Sequence, residues 1–392
     1  MILGTQAIMY NSVLSRLILP KDSGYNNYTN ITEMLMGVTS RPDGIISDRS
    51  GTFTGKYKVK TSPIPTIPTS FNKTFETICA ERAAQLIGTG KNLLISWSGG
   101  IDSTCVLVNM INAATNKDQI KVVLGSRSIT ENQSFYDNHI KDKLNCEIVD
   151  GFWADAFRPA TDELLVTGDN IGQIFGMSAT SFMENRYDNW QDHVATKYSG
   201  AKLDFFMEKS APFLAKCPFE VVTIFDLYWW ITFNIRWTHS QVRMLRFTDS
   251  YTKEQFERNV SFFNTDDFQI WSMINHNLKL QNTPQSYKSV MKDIIWDFDK
   301  NDTYYDNKVS EPSSGPSQSG DETINSRTII TNKVDNNQLP VLIDDNFNRF
   351  FKEDILADKN KFKPFLNLYN GDNLLSDAEL TSGEWFDESG ST

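Results

Sequence analysis

Apolar and polar positions follow two rhythms along this chain. Between residues 92 and 167, short apolar runs of strand character are separated by stretches with helical spacing. Residues 92–97 read as a first strand and 120–124 as a second, ending at Gly125-Ser126. Residues 146–149 read as a short third strand and 163–167 as a fourth, ending at Gly168-Asp169. Helices are expected over 76–87, from the turn after the first strand to about Ala114, and over about 132–144. Strands and helices alternating at these lengths predict right-handed βαβ units. The expected fold class is α/β, a parallel sheet flanked by helices. From about 182 to 298 the pattern is mostly helical. There Phe225, Trp229, Phe233 and Trp237 recur at four-residue steps, the spacing of a helix face turned to the core.

The turn between the first strand and its helix reads Ser98-Gly99-Gly100-Ile101-Asp102-Ser103-Thr104. Glycines there let the backbone approach an anion, and the helix N-terminus presents partial positive charge to it. Ser98, Ser103 and Thr104 add hydroxyl donors. Asp102 would repel a bare phosphate, so its presence points to a bridging Mg²⁺. The Walker-type loop is excluded, because no Gly-Lys-Ser/Thr follows, and so is the dinucleotide fingerprint spacing. Ligands on parallel sheets bind outside the carboxyl ends of the strands. The turns at Ser98–Gly100, Gly125–Ser126 and Gly168–Asp169 all fall at such ends, which predicts one shared pocket.

Composition narrows the picture. At 392 residues, 40% hydrophobic and 22% charged, the chain is that of a globular protein with room for more than one domain. A net charge of −11 argues against nonspecific nucleic-acid binding. Cys79, Cys105, Cys146 and Cys217 form no Cys-x-x-Cys pair, which speaks against structural zinc and fits a reducing cytoplasm. His139, His193, His239 and His276 are dispersed, without metal-ligand spacing. No secretory leader is evident, and the most apolar stretch, 221–235, is too short to span a membrane. Four regions are expected: an N-terminal segment, 1–75; a nucleotide-binding domain, 76–305; a Pro/Ser/Gly-rich linker, 306–335; and an acidic tail, 336–392, a candidate docking segment for a partner protein.

The Ser-Gly-Gly-x-Asp-Ser loop resembles the pyrophosphate-binding loop of the N-type ATP pyrophosphatases, the PP-loop superfamily. Residues 76–300 are most similar to the synthetase half of asparagine synthetase, in its divergent phage and bacterial forms. Within that stretch, Leu165-Val166-Thr167-Gly168-Asp169-Asn170-Ile171-Gly172-Gln173-Ile174-Phe175-Gly176 resembles the family's Leu-Ser-Gly-Glu-Gly-x-Asp-Glu-x-Phe-Gly loop. Residues 262–268 stand where the family has Pro-Phe-x-Asp, and Tyr287-Lys288-Ser289 where it has Gly-Lys. The family's first loop glutamate falls on Asp169, its metal-binding aspartate on Gly172 and its next glutamate on Gln173, so one carboxylate stands where the family has three. Ile2 replaces the nucleophilic cysteine of the glutaminase half, so an amide nitrogen would come from free ammonia, another amine or a separate subunit.

The resemblance implies an ATP-dependent ligase that adenylates a small carboxylate and passes it to an amine. It implies ATP and Mg²⁺ as cofactors and the cytoplasm as location, that of the host if the chain is phage-encoded. Ser98, Gly99, Gly100, Ser103, Thr104 and Gly168 would cradle pyrophosphate. Asp102 would hold Mg²⁺ bridging the phosphates, Asp169 would bind a second Mg²⁺ or orient the incoming amine, and Lys288 would contact the β- or γ-phosphate. Leu124, Gly125 and Ser126 would receive adenine and ribose through the backbone. Two alternatives stand: a nucleobase- or nucleotide-modifying enzyme of the same superfamily, and a catalytically inactive nucleotide-binding or virion-associated protein on the same fold.

Overall fold

A computed structural model describes residues 48–52, 62–149, 158–237 and 257–308, isolated positions between 31 and 39, and two short strands farther on. The alternating stretch at 51–59 also reads as a strand; all of it past Thr52, most of the linker and nearly all of the acidic tail lie outside the described residues.

Helix α1, Phe75–Ile87, opens where the Thr74 hydroxyl accepts the Thr77 N–H, and it buries Ile78, Cys79, Ala83 and Leu86. Strand β1, Asn92–Ser96, is buried at Leu93, Leu94 and Ile95 and takes the centre of the sheet. Helix α2, Ile101–Ala113, is apolar on nearly every side and buried from Ser103 to Ile111. Strand β2 is Ile120–Leu124, β3 is Asn145–Ile148, β4 is Glu163–Thr167 and β5 is Asn259–Ser261. All pair in parallel, in the order β3-β2-β1-β4-β5. The chain therefore builds outward through β2 and β3, then returns across β1 to start the other half. Strands β1 and β4 are neighbours reached from opposite directions. The crevice at their carboxyl ends is where doubly wound sheets take ligands.

The fold class agrees with expectation: a five-stranded parallel sheet flanked by helices. Four details differ. Ser126, expected in the turn that ends the second strand, is already the first residue of helix α3, Ser126–Glu131. The helix expected over about 132–144 starts where predicted, capped by the Asn132 side chain, which accepts the Phe135 N–H, but it runs at once into a π-helical stretch, Tyr136–Ile140, and ends there. The third strand starts one residue earlier than expected and ends at Ile148. The helical half also contains β5, only three residues long and too short for its alternation to stand out.

Helix α4, Ile171–Phe175, follows β4. Helix α5, Trp190–Lys197, and α6, Ala201–Leu214, lead to α7, Ile224–Ile235, which carries the aromatic stripe and is buried at every position except Asp226. Phe225, Trp229, Phe233 and Trp237 are core residues, as their spacing predicts. Helix α8, Asp266–Ile274, precedes α9, Ser289–Asp299, and α10, Asp302–Asn307. Helix α9 packs on both α1 and α2, so this region belongs to the same layered body as the sheet. Helix α10 carries that body to Asn307, just past the boundary expected at 305. Beyond it, β6, Ile329–Ile330, and β7, Val341–Leu342, pair antiparallel across the expected linker–tail boundary. No helix among the described residues is long and apolar enough to cross a membrane.

Candidate functional site

Residues 98–104 form the connection from β1 to α2. Gly99 takes φ +77° and Gly100 returns to φ −78° as the residue before the helix. The loop closes on itself: the Ser98 N–H donates to Ser103 Oγ at 3.0 Å, the two serine hydroxyls lie 3.0 Å apart, and the Gly100 N–H donates to Ser98 Oγ at 3.4 Å. Hydroxyl oxygens thus stand against backbone N–H groups at a helix N-terminus, where a phosphate oxygen would compete for the same donors. Ser98 is exposed and Gly100 half-exposed, so one side of the loop faces solvent.

Thr104 does not join this open side. It is fully buried, and its Oγ1 accepts the Trp97 indole N–H at 3.1 Å. Its expected role in cradling pyrophosphate is corrected to a core anchor beneath the loop.

Two distant segments converge on Asp102. From the β4 turn, a side chain on Gly168 would begin 3.3 Å from Asp102 Cβ and 3.4 Å from the Ser103 nitrogen, so this turn packs directly on the start of α2. From the other end of the chain, Lys288 places Nζ 2.6 Å from Asp102 Oδ1, with the lysine side chain 3% exposed and the aspartate 35%. Lys288 adopts φ +61° at the start of α9, uncommon for a lysine, and its N–H donates to the Lys279 carbonyl at 3.2 Å. A buried lysine held in this backbone conformation and aimed at the loop carboxylate is a built feature.

Asp169 is buried beside this junction. The Thr167 hydroxyl donates to its Oδ2 at 2.9 Å, and its carbonyl accepts the Ser261 hydroxyl at 2.7 Å, tying the turn to β5. Asn170 follows at φ +67°. At Gly172 a Cβ would meet nothing within 4 Å, whereas Gln173 is buried and its Nε2 donates to the Arg236 carbonyl. Among the described residues no three His, Cys, Asp or Glu side chains are grouped to hold a metal unaided. Mg²⁺ commonly takes one or two carboxylates and completes its shell with water and substrate phosphates. Two carboxylates stand at this junction, Asp102, 35% exposed and paired with Lys288, and Asp169, buried and hydrogen-bonded to Thr167.

The end of β2 offers less than expected. Leu124 is buried and its carbonyl accepts the Val149 N–H at 2.8 Å. The Gly125 N–H donates to Ser128 Oγ at 3.3 Å, and Ser126 begins α3. The backbone of Leu124 and Gly125 is therefore engaged in sheet and turn.

The other titratable groups hold the body together. His139 pairs with Asp299 at 2.6 Å and His193 with the Tyr228 hydroxyl at 3.0 Å. His276 Nε2 lies 2.8 Å from Asp226 Oδ1, and its Nδ1 accepts from Lys279 Nζ at 2.7 Å. Burial, with help from the Lys279 charge, pushes the His276 imidazole down to about 4. Lys279 itself is fully buried, 3.4 Å over the Trp229 ring, and burial lowers it well below the usual lysine range. No sequence pattern marks this Asp226–His276–Lys279 chain, because its members come from two helical regions with no motif spacing. A cavity of about 460 Å³, lined by Trp190, Leu214, Cys217 and Phe219 among others, contains none of the loop residues. His239 lies outside the described residues, as do Arg243 and Arg246. Neither the models of known protein families nor the curated proteins give a match to the chain.

Proposed function

We propose that the chain is an ATP-dependent ligase of the PP-loop, asparagine synthetase-like type, which adenylates a carboxylate and transfers it to ammonia or an amine. The observation that carries this reading is the meeting of three segments far apart in sequence: the Ser98–Ser103 loop, the Gly168–Asp169 turn and Lys288, whose ammonium sits on Asp102. They meet at the switch point of the sheet.

In this reading a substrate carboxylate oxygen attacks the α-phosphorus of ATP and the bond to pyrophosphate breaks. The amine then attacks the acyl carbon and AMP leaves. Negative charge gathers on the departing pyrophosphate, so fixed donors there lower the barrier most. The N–H groups of Gly99, Gly100 and the first turn of α2, with the Ser98 and Ser103 hydroxyls, would bind it. Lys288 would follow the charge, moving from Asp102 to a phosphate oxygen. Mg²⁺, held by Asp102 and Asp169, would neutralise the phosphates when bound.

The test is ATP–pyrophosphate exchange with a panel of carboxylic acids, scored with AMP release. Asp102→Asn is expected to reduce exchange at least ~100-fold while the far-ultraviolet spectrum is retained, the size of loss seen when a transition-state electrostatic partner is removed. Full exchange in that variant would refute the assignment. One observation favours a second reading, that of a nucleotide-binding protein without turnover: Gly172 and Gln173 leave the second loop with Asp169 as its one carboxylate. MgATP binding with no AMP formed from any acid would select it.

A further inference from the structure

We propose that Lys308 is a second phosphate-binding cation of this site, parked on Glu131 until a nucleotide draws it away. The inference rests on the nucleotide reading above and adds to it a residue from outside every motif.

Glu131 ends α3 and lies against the loop. A side chain on Gly99 would begin 2.7 Å from Glu131 Cβ and 3.0 Å from its Cγ. A carboxylate is thereby held beside a turn whose backbone N–H groups suit an anion, an arrangement that opposes phosphate unless the charge is covered. Lys308 covers it, with Nζ on Glu131 Oε1.

The path of the chain delivers that lysine. Helix α9 ends at left-handed Lys300, and the chain turns back into α10. The Asn301 side chain accepts the Tyr304 N–H at 3.0 Å and donates to Ser134 Oγ at 3.3 Å, fixing α10 to the segment after α3. The Trp296 indole donates to Asp302 at 2.7 Å. Tyr304 is half-buried with its hydroxyl enclosed beside Thr104, and burial pushes its phenol up. The Lys308 N–H donates to the Tyr304 carbonyl at 2.9 Å, so the lysine backbone is set by the same turn.

The strap ends in a charged pair that water reaches. Lys308 is 16% exposed and Glu131 39%, a partly solvated pair that costs little to open. A lysine has a long flexible stem and three donors, and a triphosphate offers it far more negative charge than one carboxylate. Lys288 on the Asp102 side and Lys308 on the Gly99 side would then hold the phosphates from both flanks.

Titration calorimetry of the full chain with MgATP tests this. Lys308→Ala is expected to raise Kd about 10-fold, the loss typical of one charge-assisted hydrogen bond, and Lys308→Arg to restore most of it. Glu131→Gln is expected to lower Kd, because it removes the competitor. These opposite signs separate a phosphate ligand from a structural latch, for which both variants would weaken binding alike. Equal weakening, or an unchanged Kd in Lys308→Ala, overturns the proposal and leaves the nucleotide reading standing. No MgATP binding by the wild-type chain overturns both.

Discussion

Gly99 and Gly172 stand in neighbouring loops under opposite constraints. Gly99 has φ +77°, and a Cβ there would lie 2.4 Å from the Ser128 carbonyl oxygen. Left-handed strain and a backbone clash add, so Gly99→Ala is expected to cost about 2 kcal/mol or more in urea unfolding. Gly172 lies within helical backbone with open space around it. Gly172→Asp is expected to leave stability within about 1 kcal/mol and to raise the exchange rate by supplying a second carboxylate to the loop. The sequence marks both positions as glycine and nothing more. Which of them tolerates a side chain depends on α3, packed against the first loop from another part of the chain.

At the scale of elements, α7 and the turn before α9 form the scaffold behind Lys288. Trp229 on α7 donates its indole N–H to the Ile174 carbonyl at 3.1 Å, and the Tyr287 hydroxyl donates to the Gly176 carbonyl at 2.5 Å, so the end of the second loop is clamped from both. Asp226 caps the start of α7, where the Thr223 hydroxyl accepts its N–H, and also receives His276. Burial opposes ionisation of Asp226, yet the His276 and backbone hydrogen bonds outweigh it and hold its carboxyl below the usual range. His276 is lowered to about 4 from an unfolded value of 6.5, so the unfolded chain takes up its proton first. Its contribution to stability is complete above pH 6.5, falls as pH drops from 6.5 towards 4, and changes no further below that. The loss is on the order of 3 kcal/mol. His276→Gln is expected to flatten that stretch of a denaturation-midpoint-against-pH curve; an unaltered slope would show that another group governs it. Strand and helix positions were legible because period-two and period-3.6 patterns are local. β5 and the π-helical stretch after Phe135 were not: one has three residues, and the other departs from the 3.6-residue period that marks a helix.

For the whole molecule, the layers carry the site on a continuous core, into which the N-terminal segment is fastened. The Arg49 N–H donates to Asn234 Oδ1 at 2.8 Å, and its guanidinium reaches the carbonyls of Ser62, Pro63 and Phe233 while stacking 4.3 Å over Trp237. A ligand bound at the switch point touches both halves of the sheet and stabilises them together. MgATP at about 100 times its Kd is expected to add about 2.7 kcal/mol and to raise the melting midpoint by about 5–10 °C, an effect that Asp102→Asn should abolish in differential scanning calorimetry. By itself the sequence determined the strand–loop–helix unit around Ser98–Thr104, the α/β class and the aromatic core stripe, because each depends on residues within a few turns of one another. Only the tertiary structure decided that Lys288 stands on Asp102, that Thr104 faces inward to Trp97, and that Lys308 reaches Glu131. Each of those contacts except the Thr104–Trp97 bond joins residues more than a hundred positions apart, and what selects them is burial and charge pairing in the folded body, which no local pattern records.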